Sequence, residues 1–179
     1  MSLFVRMPFI LLRTLCRRRV DPLAMTTVQS RVYPNDLDIN LHVNNGRYLT
    51  FADLGRVDWF VRTGCMRVAM KRGAIPVIGD ATARFIRQMR VFQRFRVETR
   101  LLGWDRKWAF LEHRILDGGD RLATIVVVRG MFWHRGTGGI PPAELLDAVG
   151  HAHLTSPELP QWVQRWADSL DLLSASRKA

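Results

Sequence analysis

The side chains best suited to chemistry lie in one short segment, from Asn35 to Tyr48, which reads N-D-L-D-I-N-L-H-V-N-N-G-R-Y. It is dense in carboxylate, amide and imidazole groups. A carboxylate can act as a nucleophile or as a general base, and neighbouring polar groups can orient a water molecule. The alternative is that the Asp and Asn residues only make turns and a helix cap, as these residue types often do. Composition leaves both interpretations open.

A buried helix is predicted to begin at the end of this segment. Asn44 and Asn45 can cap it, its apolar residues continue to Val61, and Gly64 is a natural stop. The unpaired N–H groups at a helix N-terminus can stabilise the oxyanion that forms when a carbonyl carbon is attacked. A carboxylate just before such a helix is therefore well placed for hydrolysis of a carbonyl compound.

The remaining pattern predicts strands around that helix. The predicted strands are Thr26 to Tyr33, Ile75 to Met89, Phe95 to Gly103, Trp108 to Leu116 and Leu122 to Trp133. A D-G-G-D turn at 117–120 predicts a hairpin between the last two strands. One strand, one long helix and then consecutive antiparallel strands make an α+β domain whose sheet curls around its helix.

A second helix is predicted from about Pro160 to Leu173. We expect it to pack over the sheet or at a subunit contact. Its predicted apolar face consists of Trp162, Val163, Trp166 and Leu170.

The helix-opening segment resembles that of the plant acyl-carrier-protein thioesterases and of the wider 4-hydroxybenzoyl-CoA thioesterase superfamily. The plant phrase D-L-D-x-N-x-H-V-N-N-x-x-Y is matched at the same spacings from Asp36 to Tyr48. The chain also resembles the branch that contains mammalian thioesterase superfamily member six, through L-L-G-W-D at 101–105 and over most of the chain from about Met25. Both resemblances imply the hotdog fold and hydrolysis of an acyl thioester of coenzyme A or acyl carrier protein.

The resemblance also implies roles for individual residues. Asp38 stands where such enzymes place the carboxylate that attacks the thioester or activates a water. Asn40 and His42 match the residues that hold water and substrate. Backbone N–H groups near Asn44 and Asn45 match the position that polarises the thioester carbonyl.

Two positions depart from the pattern. Leu41 stands where many coenzyme A thioesterases have Gly. The plant enzymes bring a Glu-Cys pair from the next strand, and the approximate alignment places Gln88-Met89 there. Gln88 can orient a water but cannot accept its proton, so proton transfer falls to Asp38 or His42.

Composition indicates one globular domain that needs neither metal nor cofactor. Hydrophobic residues make up 47% of the 179 residues and charged residues 24%. Cys16 and Cys65 lie far apart without zinc-site spacing, which favours a reducing, cytoplasmic setting. We expect no nucleic-acid partner, because no helix-turn-helix, zinc-finger or RNP-like signature occurs.

The net charge of +11 includes five arginines in the first twenty residues, which leaves about +6 for the rest. We divide the chain into a basic apolar extension, residues 1–24, and a thioesterase domain, residues 25–179. The extension is either a peripheral membrane contact through residues 1–20 or a segment upstream of a start at Met25. The related branch often carries a hydrophobic N-terminal stretch, which supports the first option.

A second group of arginines is predicted to be a solvated face, or else to meet coenzyme A phosphates or an acidic carrier protein. These are Arg84, Arg87, Arg90, Arg94 and Arg96.

Two other functions compete with thioester hydrolysis. The first is a hotdog protein that binds acyl groups without turnover. The second is a hotdog enoyl hydratase, which uses a D-x-N-P-x-H phrase. Residues 38–42 lack the Pro of that phrase and are one residue too short. We expect at least a homodimer, since a single hotdog sheet leaves open edges and the family completes its pockets across the subunit contact.

Overall fold

The computed structural model describes residues 3–176, with side chains from Arg6 onward. Its helices are α1 (Leu3–Leu15), α2 (Asn45–Thr63), α3 (Cys65–Lys71), α4 (Pro142–Ala148) and α5 (Gln161–Ser176). Its strands are β1 (Thr26–Arg31), β2 (Ala74–Phe85), β3 (Arg94–Trp104), β4 (Ala109–Asp117), β5 (Leu122–His134) and β6 (Gly138–Ile140). The predicted α+β class is confirmed.

The strands form one antiparallel sheet in the order β1-β3-β4-β5-β2, with β6 paired to β5. The predicted hairpin turn is present, since the Asp120 N–H donates to the Asp117 carbonyl at 3.0 Å. β2 ends at Phe85 rather than at Met89, because the N–H groups of Ile86 and Arg87 both turn to the Ala123 carbonyl. β1 and β2 lie at the two ends of this strand order, and each pairs with one other strand.

α2 is the central helix around which the sheet curls. Phe51 and Leu54 are fully buried, and the Phe51 ring stacks on that of Phe95 with centroids 4.4 Å apart. Gly55 permits this close approach, since a Cβ there would lie 2.3 Å from Thr99 Oγ1. Gly64 ends the helix in the left-handed conformation, with φ of 86°, as its sequence position predicts.

α5 covers the outer face of the sheet. Val163 is fully buried, and Trp166 packs with it against Leu102 and Phe110. Trp162, predicted to share this face, is instead 50% exposed. The helix therefore packs over the sheet, which is one of the two predicted arrangements.

α1 packs against α2 and β1. Its inner face carries Arg6, Ile10 and Thr14, all buried, at successive intervals of four residues. Its outer face exposes three large apolar side chains, Phe9, Leu12 and Leu15. Within residues 3–176, no helix has the length and apolar character that crossing a membrane requires.

Candidate active site

Asp36 anchors the segment that leads into α2. Its carboxylate is completely buried and accepts the Tyr33 N–H at 2.8 Å. Arg47 donates two hydrogen bonds to Oδ1, from Nε at 3.0 Å and from Nη2 at 2.8 Å. Arg6 of α1 forms an ion pair with Oδ2. With its oxygens engaged in this way, Asp36 holds structure and does not face a substrate.

Backbone hydrogen bonds fix the loop between Asp36 and α2. The Asp38 N–H donates to the His42 carbonyl at 2.9 Å, which closes a tight loop of five residues. The Val43 N–H donates to the Met89 carbonyl at 3.0 Å, so the segment that contains Gln88 runs beside the loop. Residues 36–45 contain the predicted catalytic residues Asp38, Asn40 and His42, and we call this segment the catalytic loop.

Asp38 presents the carboxylate that remains free. Its side chain is half-buried, and Oδ1 accepts the Asn40 N–H at 2.8 Å. Oδ2 has no hydrogen-bond partner within residues 3–176. One oxygen therefore fixes the orientation of the carboxylate while the other is available to a water or a carbonyl carbon.

The other predicted polar side chains lie on the same loop or on the segment beside it and make no hydrogen bond to Asp38. Asn40 and Gln88 are exposed and His42 is half-buried. None of the three side chains has a hydrogen-bond partner in the described part of the chain. The fold brings these groups to one end of α2, but contacts within a single chain do not join them into a network.

The start of α2 supplies an unpaired backbone donor. Asn44 is the cap, since its Oδ1 accepts the Gly46 N–H at 2.9 Å. Its own N–H donates to the Asp36 carbonyl at 2.9 Å and is not available to a substrate. The N–H of Asn45 makes no hydrogen bond with any described residue. Of the two predicted positions, Asn45 is therefore the one that can polarise a carbonyl.

Leu41 adopts a backbone conformation that suits Gly, the residue that the family resemblance predicts at this position. Its φ is 60°, in the left-handed region that Gly enters at little cost and Leu does not. The loop keeps this conformation with Leu, whose side chain is 72% exposed. Ile39 is 97% exposed, so two bare apolar side chains flank Asp38.

Sequence reasoning missed Arg6 and Arg47 as parts of this site. Arg47 lies inside the motif, eleven residues after Asp36, but nothing in its spacing indicates a buried carboxylate partner. Arg6 lies thirty residues before Asp36, in the segment assigned to an extension. Only folding brings these two guanidinium groups to one carboxylate.

Two other buried ionisable groups lie away from the loop. His113 is fully buried, contacts Thr99 Oγ1 through Nδ1 at 2.9 Å, and its Nε2 has no partner among residues 3–176. Burial, and secondarily the charge of Arg56, lower the pKa of His113 well below 6.5. Burial also raises the pKa of the Cys65 thiol, which suits a packing role rather than a nucleophilic one.

Curated proteins similar to this chain include Protein THEM6 of Xenopus laevis and of Danio rerio. The Xenopus protein is 28% identical over 98% of this chain and 84% of its own length. The Danio protein is 30% identical over 89% of this chain and 75% of its own length.

Solved structures share the fold at lower identity. A 4-hydroxybenzoyl-CoA thioesterase in complex with 4-hydroxybenzoyl-CoA superposes with a TM-score of 0.63, at 19% identity, covering 70% of this chain and 99% of its own. A DHNA-CoA thioesterase from Staphylococcus aureus superposes with a TM-score of 0.61, at 16% identity, covering 85% of this chain and 95% of its own. Residues 32–167 match the thioesterase-like superfamily as a family. The chain, with a curled sheet around a central helix and a polar loop at the start of that helix, belongs to the thioesterase-like superfamily and has the hotdog fold.

Proposed function

We propose that this protein hydrolyses acyl thioesters of coenzyme A or acyl carrier protein at the catalytic loop. The observation that carries the proposal is that one carboxylate oxygen of Asp38 and the N–H of Asn45, at the start of α2, both lack a hydrogen-bond partner among residues 3–176. Attack on a thioester needs a base or nucleophile on one side of the carbonyl and an anion-stabilising donor on the other. This loop offers both.

The reaction follows from these two groups. Asp38 removes a proton from a water that attacks the carbonyl carbon, or attacks the carbon itself and forms an anhydride that water then opens. In either case negative charge develops on the carbonyl oxygen, where the Asn45 N–H and the α2 dipole stabilise it. The tetrahedral intermediate collapses with cleavage of the C–S bond, and the thiolate takes a proton from protonated Asp38 in the general-base route or from water in the anhydride route. Asn40, His42 and Gln88 orient water and substrate.

The substrate class is supported by proteins of the same fold. Solved structures that superpose on this chain include a 4-hydroxybenzoyl-CoA thioesterase and a DHNA-CoA thioesterase. A thioesterase, lcsJ, from Purpureocillium lilacinum is 29% identical over 47% of this chain and 33% of its own length. A net charge of +11 suits either a phosphorylated coenzyme or an acidic carrier protein.

We propose that the active form is a homodimer paired through the β2 edge. β2 exposes Ile75, at 62%, and Val77, at 38%, along a strand with a free edge. Ile39 and Leu41 of the catalytic loop are exposed on a single chain, so no part of that chain covers them. Exposed apolar edge strands of this kind pair with another chain unless they are blocked.

Sedimentation tests the dimer. Ile75→Glu combined with Val77→Lys is expected to shift the dimer towards monomer and to reduce thioester hydrolysis. A matched control is Leu172→Glu, which changes a side chain 72% exposed on α5 and should leave the dimer intact. A wild-type chain that sediments as an active monomer would refute the proposal.

Asp38→Asn tests the chemistry. Amidation keeps the hydrogen bond from the Asn40 N–H but removes the charge, so thiol release should fall by roughly 10²–10⁴-fold, as loss of a general base does. Asp105→Asn is the matched control, because Asp105 Oδ1 also accepts the backbone N–H two residues later, at 2.6 Å. That variant should keep normal activity and stability.

The same assay separates the alternatives. A panel of acyl-CoA substrates of graded length, followed by thiol release, is the primary measurement. Acyl ligands that bind while no thiol is released would identify a non-catalytic acyl-binding protein. Hydration of an enoyl thioester that stays intact would identify a hydratase. If Asp38→Asn kept normal turnover and His42→Ala abolished it, His42 would be the base.

A further inference from the structure

A cavity of about 440 Å³ lies between α1, β1 and the β4–β5 turn, on the outer side of the Arg6–Asp36 ion pair. This volume falls within the roughly 300–1,000 Å³ typical of small-molecule sites. Its lining differs from the catalytic loop, because it includes four arginines and Asp38 takes no part. The residues that matter for its chemistry are Arg6, Phe9, Ile10, Arg31, Arg94 and Arg96.

Two of these arginines face each other without an acidic partner. Arg31 pairs directly with Arg94 in the β1–β3 register, and both are exposed. Like charges at directly opposite positions of an antiparallel pair repel each other. Neither guanidinium forms an ion pair with any residue among 3–176.

The acids that line the cavity are already neutralised. Asp120 forms an ion pair with Arg96, which also donates to Glu98 at 2.9 Å. Asp117 accepts from Arg121 at 2.8 Å, and its hydrogen bonds to Arg121 and Gly119 lower its pKa against the opposing effect of burial. The positive charge of Arg31 and Arg94 is therefore uncompensated.

Arg6 adds buried positive charge at the inner wall. It is 1% exposed, and its Nε and Nη1 have no hydrogen-bond partner in the described residues. Its carboxylate partner, Asp36, also serves Arg47, so one negative charge is shared between two guanidinium groups. The ring of Tyr33, whose centroid lies 4.9 Å from the Arg6 Cζ, compensates the positive charge of Arg6 only in part.

We propose that this cavity binds a phosphate group, carried either by a soluble compound or by the headgroup of an anionic lipid. The planar guanidinium groups of Arg31 and Arg94 match phosphate oxygens in geometry and charge. The buried guanidinium group of Arg6 adds positive potential at the inner wall of the cavity. Arg6 also forms the ion pair with Asp36. Occupation of the cavity therefore stabilises the start of the catalytic loop.

The two sources of phosphate differ in what surrounds the cavity. Phe9 lines it and is 57% exposed, and Leu12 and Leu15 extend the same apolar face of α1 outward. A lipid would place its headgroup in the cavity and its chains against this face. A soluble compound would leave the face uncovered.

Calorimetry with inorganic phosphate and with adenosine 3′,5′-bisphosphate tests the soluble source. Flotation with neutral phosphatidylcholine vesicles, and with vesicles that also contain phosphatidic acid, tests the lipid source. The decisive variant is Arg31→Gln with Arg94→Gln. Its matched control is Arg106→Gln with Arg135→Gln, which removes the same charge from exposed positions that do not line the cavity.

The decisive variant should weaken whichever binding the wild type shows by on the order of tenfold or more, since it loses two charge-assisted contacts. The control should bind as the wild type does. Saturable binding of soluble phosphate assigns the soluble source, and flotation that depends on phosphatidic acid alone assigns the lipid. Equal binding by the two double variants, or no binding of either kind by the wild type, would overturn the proposal. None of these readouts requires thioester hydrolysis, so the site stands or falls separately from the catalytic function.

Discussion

Replacement of Asp36 by Asn should destabilise the protein at the start of the catalytic loop. It should not remove a reacting group. Asp36 is completely buried, and its carboxylate faces two guanidinium groups, one of them the fully buried Arg6. The amide keeps one acceptor oxygen, but it turns an NH₂ group towards donors and removes the carboxylate that compensates the charge of Arg6. The loss is therefore one of stability.

The magnitude follows from this burial. Removing one partner of a buried ion pair typically costs roughly 3–5 kcal/mol, because it leaves an uncompensated buried charge. Arg47 is 26% exposed and can turn towards water, so most of the cost comes from Arg6. In a chain of this size each kcal/mol lowers the Tm by about 2–4 °C, so Asp36→Asn should melt roughly 6–20 °C below the wild type.

Urea unfolding followed by tryptophan fluorescence, together with thermal melts, measures the effect. Asp120→Asn is the matched control, since Asp120 is 74% exposed and its ion pair with Arg96 lies at the surface, where such pairs contribute about 0–1 kcal/mol. Adding Arg6→Met to Asp36→Asn should recover part of the loss. A change no larger than that of the control would refute the structural role of Asp36. At temperatures where Asp36→Asn stays folded, it should retain more thiol release than Asp38→Asn.

Two further predictions concern stability. Since the folded chain lowers the pKa of His113, the unfolded chain binds the extra proton, so stability should fall as the pH drops below about 6.5, by up to about 1.4 kcal/mol per pH unit. His113→Gln should flatten this dependence in urea titrations between neutral and mildly acid pH, and parallel curves for the two proteins would contradict the assignment. Leu41→Gly should be neutral or stabilising by up to about 1 kcal/mol, because relief of the left-handed strain exceeds or offsets the added freedom of the unfolded chain. A melt that shows clear destabilisation of Leu41→Gly would mean that the Leu41 side chain packs against something in solution.

Much of the fold is determined locally and was predictable from the sequence. The cap at Asn44, the apolar run of α2 and the left-handed Gly64 act within a few residues of one another. The 117–120 turn and the alternation along β3 are equally local. α3, α4 and β6 were not predicted, because each is short and depends on packing against the sheet for its stability.

Only the tertiary structure shows that Asp36 and Asp38 have different environments. Asp36 and Asp38 stand two residues apart in one motif, and nothing in their residue type separates them. Asp36 is buried because folding brings Arg6 and Arg47 to it from thirty and eleven residues away. Asp38 remains half-buried with one free oxygen because the loop turns it away from those charges. A buried carboxylate requires compensating charge within a few ångströms, and that distance is set by non-local packing that sequence spacing does not encode.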